Sequence, residues 1–126
     1  MTTEELRRHL EVLQTKLSRH EMLPAILDML DTNPLEEERE LLEVWLMGYA
    51  FFGDTDRVTL YWKPFLYGDD FGPRMTAMNR LFILSKRNVL ANNILIEYLG
   101  EEPTEESLRK KHLSHFDEGT DGKYKP

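Results

Sequence analysis

The chain has 126 residues, 16 Lys and Arg against 23 Asp and Glu, a formal charge of −7 and no cysteine. A single domain of that length buries enough surface to fold without a metal or a cross-link. The absence of thiols excludes disulfides, thiolate zinc sites, iron–sulfur clusters and a cysteine nucleophile, and the acidic balance disfavours phosphate backbones while favouring basic proteins or peptides as partners.

Thr2 or Thr3 followed by Glu4 and Glu5 reads as a helix start, a hydroxyl cap with acids at the positive end of the helix dipole. Leu6, Leu10, Leu13 and Leu17 then recur at helical spacing, which predicts an amphipathic helix ending near Ser18–His20. A second helix is expected from about Met22 to Leu30, with Pro24 tolerated in its first turn. Asp31-Thr32-Asn33-Pro34 supplies its stop. A third starts near Pro34 with Glu36, Glu37 and Glu38 in its first turn. Leu41, Leu42, Trp45, Leu46, Tyr49 and Phe52 lie on its inward stripe, and Phe51 falls outside that stripe.

Residues 57–67 pull two ways. The run RVTLYW is rich in strand-favouring residues, whereas the Asp54-Thr55-Asp56 cap and the flanking helices favour a helix that Pro64 kinks or ends; the helix is the expectation. Residues 68–73 read as a loop. Further helices are predicted over about 74–86, over 89–99 between an Asn88 cap and a Gly100 stop, and from Pro103-Thr104 onward. The fold expected is one all-α domain of six or seven short helices in antiparallel pairs over residues 1–116, with 117–126 too polar to pack and expected as a flexible tail. No apolar run approaches the roughly 18 residues of a membrane span, and MTTEELRRHLEVLQ lacks a signal-peptide core. A cytoplasmic protein, or a passenger exported by another route, is expected.

Three stretches starting at Leu10, Leu46 and Leu81 each read as helix, polar turn, helix, at offsets of 36 and 35 residues. Pro34, Pro73 and Pro103 follow them. The middle stretch resembles a tetratricopeptide repeat, with Trp45, Phe52, Phe65 and Pro73 at its signature spacing, although Tyr49 and Tyr61 stand where that repeat takes small residues. The resemblance implies stacked helical hairpins.

Eight of the thirteen Phe, Trp and Tyr residues lie between Tyr49 and Phe71. They cannot all face one core, so Tyr61, Trp62, Tyr67 and Phe71 are candidates for a partner-binding groove; the competing reading is that they fill the space between helices. Glu36, Glu40 and Glu43 share a helix face and are candidates for its acidic rim, or else form a solvated first turn. Arg74, Arg80, Lys86 and Arg87 form an alternative basic face for nucleic acid.

Catalytic and metal chemistry has thinner support. Asp54, Asp56, Asp69 and Asp70 form pairs, but without calcium-loop spacing, and they suit turns as they stand. His112 and His115 lie three apart, a spacing common by chance, and His9 and His20 stand alone. Ser18, Ser85, Ser107 and Ser114 lie in no Gly-x-Ser-x-Gly elbow, and no glycine-rich phosphate loop occurs. No cofactor and no metal is expected. The function expected is non-enzymatic protein recognition by a small adaptor, chaperone, inhibitor or immunity-type protein. Its partner would be a protein, a basic or amphipathic peptide, or a second copy, with no membrane involved. The alternatives are a nucleic-acid-associated regulator and a small enzyme using an acidic pair.

Overall fold

The computed structural model describes residues 1–120, with side chains as far as Ser114. It is all-α: α1 (Thr3–Lys16), α2 (Arg19–Asp31), α3 (Glu36–Tyr49), α4 (Thr55–Trp62), a 3₁₀ turn (Lys63–Tyr67), α5 (Phe71–Ser85), α6 (Val89–Leu99) and α7 (Glu105–Thr120). No strand occurs among the described residues, so RVTLYW is helical, as its cap implied. Asp54 Oδ1 accepts from the Arg57 N–H at 3.2 Å, which satisfies one free amide of the first turn and offsets the strand preference of the run. Pro64 follows and the helix tightens into the 3₁₀ turn.

Most caps are local side-chain devices. Thr2 Oγ1 accepts from the Glu5 N–H at 3.1 Å, and Asn88 Oδ1 accepts from the Ala91 N–H at 2.8 Å. Gly100 ends α6 at φ +77°, a left-handed conformation that an L side chain resists. α2 differs from expectation. It begins at Arg19, because Ser18 and Glu21 form a reciprocal capping box, and Pro24 therefore lies inside the helix rather than in its first turn. The two Ser18 hydrogen bonds, backbone first, hold the Glu21 carboxyl below the usual carboxylate range. A carboxylate depressed by folding stabilises the folded state above its unfolded pKa, and that contribution is lost as pH falls through the depressed value. α5 likewise starts earlier than expected, at Phe71, with Pro73 in its first turn, where a missing N–H costs nothing.

The chain forms two compact units, Met1–Val58 and Thr59–Pro126, with the boundary inside α4. In the first, α2 packs along α3, and α1 lies against both. Leu10, Ile26 and Leu46 are fully buried there. Gln14 Nε2 donates to the Tyr49 hydroxyl at 2.8 Å, and Arg57 forks onto Asp28 and Asp31 at 3.0 and 3.2 Å. In the second unit α5 is central. It packs on α6, the 3₁₀ turn and α7, and Ala77, Leu81, Leu84 and Leu95 are fully buried. The tightest pairs are thus α2 with α3 and α5 with α6; α5 with α6 is the third hairpin that the repeat reading drew, whereas α2 with α3 joins helices that it assigned to different hairpins. α7 runs past Asp117 to Thr120; residues 121–126, the rest of the expected tail, lie outside the described residues.

Candidate interaction surface

The aromatic stretch divides between interior and surface. Trp62 is only 2% exposed, and its ring meets Tyr61 edge-on at 5.1 Å and Phe65 at 6.0 Å. It is a core residue, which corrects the groove reading for this ring. α4 turns Val58, Thr59 and Trp62 inward together, as 3–4 spacing requires. Tyr61 and Phe71 are half-buried; the Phe71 ring lies 5.5 Å from the His112 imidazole. Tyr67 is 58% exposed and stands edge-on to Tyr98 at 5.6 Å. Partial burial, then the Glu97 carboxylate, pushes its hydroxyl pKa up, so Tyr67 is a neutral donor at ordinary pH.

The acidic candidates lie on α3 in the first unit. Glu36 and Glu40 are exposed, while Glu43 is half-buried and faces Arg39 at 4.0 Å. Leu42 and Leu46 hold the opposite side of this helix in the core. At 3.6 residues per turn the outward side then carries Glu37, Glu40, Val44 and Gly48, with Phe51 continuing the line in the turn beyond. All five are exposed, Val44 by 62% and Phe51 by 36%. The Val44, Gly48 and Phe51 part of this stripe was not singled out from the sequence, though its 4-3 spacing opposite the leucines was there to be read. Beside the acidic end, a recess of about 460 Å³ is lined by Met1, Thr2, Thr3, Leu35, Glu36, Glu37 and Glu38.

Charge is distributed unevenly. Residues 1–58 hold six Lys and Arg against thirteen Asp and Glu, and residues 59–126 hold ten against ten. The entire net charge of −7 therefore belongs to the first unit.

The second unit has a concave site of its own. A groove of about 430 Å³ between α5 and α7 has Met75, Met78, Phe82 and Leu108 for its floor and Asn79, Glu105, Arg109 and His112 at its lip. His112 Nδ1 lies 2.7 Å from Met75 Sδ. A thioether can only accept, so this contact is a hydrogen bond in the tautomer that carries the ring proton on Nδ1. The lip opposes Glu105 with Arg109 and has no net charge preference.

The residues of the alternative basic face differ in exposure. Arg74 and Arg80 are half-buried and their Nε atoms are buried without a hydrogen-bond partner among the described residues. Lys86 Nζ sits 4.3 Å above the Phe82 ring, and Arg87 is exposed. Among the described residues no three His, Asp or Glu side chains are grouped to hold a metal. His115 lies outside the residues whose side chains are described, and His9 and His20 are exposed. Asp54 is occupied as a cap. Asp56, Asp69 and Asp70 are exposed. Three of the four serines are engaged with backbone: Ser18 in its capping box, Ser85 donating to the Phe82 carbonyl at 2.6 Å, and buried Ser107 donating to the Glu102 carbonyl at 2.9 Å while accepting from the Thr104 N–H at 2.7 Å.

No family model, curated protein or solved structure matches the chain. Among the described residues no helix is long and apolar enough to cross a membrane.

Proposed function

We propose that this protein is a non-enzymatic recognition module, of the adaptor, chaperone, inhibitor or immunity type, that receives a basic amphipathic segment of a protein partner on the outward face of α3. One observation carries this reading: an exposed apolar line, Val44 to Phe51, runs on into exposed Glu40 and Glu37 in the half of the chain that holds all of its net charge. Such a face offers a partner apolar burial at one end and charge pairing at the other. Glu36 flanks the acidic end, so the rim expected from the sequence keeps Glu36 and Glu40, while the apolar element moves from Trp62 to α3. The neutral charge of residues 59–126 and the half-buried Arg74 and Arg80 give the nucleic-acid reading little support. The lack of cysteine suits a reducing, cytoplasmic setting.

The test uses a synthetic leucine–lysine peptide whose leucines align on one helical face, and an isomer of the same composition with the pattern scrambled. The wild type is expected to prefer the aligned peptide in a calorimetric titration, and the preference should persist at high salt while overall affinity falls. Val44→Asp is expected to weaken aligned-peptide binding at least about tenfold, because docking then buries a charge. Equal binding of the two peptides would leave only non-specific attraction and would overturn the reading.

A further inference from the structure

Gly48 lies in the last turn of α3, on the outward line between Val44 and Phe51. A β-carbon built there would meet nothing within 4 Å, and its φ is not positive. The fold therefore has no steric or conformational use for glycine at this position. Glycine inside a helix is nonetheless costly, since it gives up the most backbone freedom on folding. The stability forgone at Gly48 is not recovered by packing within the chain.

What the glycine does produce is a notch. Val44 is exposed one turn before it, Phe51 is exposed in the turn just beyond the helix end, and Gly48 places no side chain between them. Helices pack by seating ridges in grooves with axes about 8–10 Å apart, and a glycine at the crossing lets the backbones come closest. We infer that the partner segment is itself an α-helix, that it crosses α3 at Gly48, and that a side chain of the partner seats between Val44 and Phe51. The lysines or arginines of that helix run toward Glu37 and Glu40. This inference rests on the function proposed above and specifies the docking geometry of the same face. Charge decides the occupant: a second copy would bring its own seven excess negative charges to an acidic face, whereas a basic helix complements it.

Gly48→Ala separates stability from recognition. The variant should melt a few degrees higher than the wild type, about 2–6 °C for a chain of this size. The same methyl group fills the notch, so the aligned leucine–lysine helix should bind it about tenfold more weakly, while the scrambled isomer binds as before. A variant that melts higher and binds the aligned peptide as tightly as the wild type would overturn the crossing at Gly48. If Val44→Asp still loses binding in that experiment, the α3 face stands as the docking surface and only the crossing falls. If the wild type fails to distinguish the two peptides, the face and the crossing fall together.

Discussion

Trp62→Ala lowers the unfolding free energy by about 3–5 kcal/mol, the cost of removing a large buried aromatic and leaving a cavity. The ring is almost fully buried and makes two aromatic contacts within the same short segment, so neither neighbour can close the hole without abandoning its own packing. A second variant isolates the polar part of the effect. The indole Nε1 is buried and has no hydrogen-bond partner among the described residues, although buried indoles ordinarily find one. Trp62→Phe removes that unsatisfied donor along with part of the ring, and its cost should be well under that of the alanine variant, because relief of a desolvated donor, about 1–3 kcal/mol, offsets lost volume. Urea unfolding of the three proteins checks both expectations. An alanine variant as stable as the wild type would place the ring outside the core.

Asn88→Ala is the second large loss, about 2–4 kcal/mol, the sum of two effects at one oxygen. Asn88 Oδ1 caps α6 through the Ala91 N–H and also accepts from the hydroxyl of Thr59 at 2.9 Å. Thr59 is fully buried. Alanine at position 88 exposes the first turn of α6 and strands a buried hydroxyl donor. Thr59→Val should be much milder, since it removes the donor itself and leaves the cap in place. In the double variant the stranded hydroxyl no longer exists, so its cost falls short of the two single costs added together. Strict additivity in denaturant melts would mean that the Thr59–Asn88 bond contributes nothing.

Helix number and type were legible because the leucine spacing along α1, α2 and α3 is unambiguous and the polar residues between helices are good caps. Asn88 and Gly100 bounded α6 on local chemistry alone. Two starts were misplaced for reasons that lie in the residues. Ser18-Arg19-His20-Glu21 is a capping-box sequence that starts α2 at Arg19, whereas the preference of proline for a first turn points to a start near Met22. At Gly68–Pro73 two glycines and a proline read as a loop, whereas a helix needs no donor in its first turn and α5 could absorb Gly72 and Pro73. The surface was less legible. Position along a helix gives a residue's direction but not what stands opposite it, so Trp62 and Tyr67, near neighbours in an aromatic run, could not be told apart as core and surface. In the sequence Trp45, Tyr49 and Phe52 mark the inward side of α3, and an exposed glycine on the other side gains meaning only when the space around it is known.

The uneven charge of the two halves has a consequence at the isoelectric point, about pH 5.1. Acidification protonates carboxylates in both halves, yet one starts at −7 and the other at zero. When the total reaches zero, the first half is still negative and the second has become positive. The protein is then a zwitterion on the scale of the whole molecule. Unlike halves of neighbouring molecules attract through weakly screened fields, and added salt dissolves the resulting precipitate instead of deepening it. Salting-in near pH 5 is thus a property of how this chain apportions its glutamates, and a protein of identical composition with its charges shuffled would lack it.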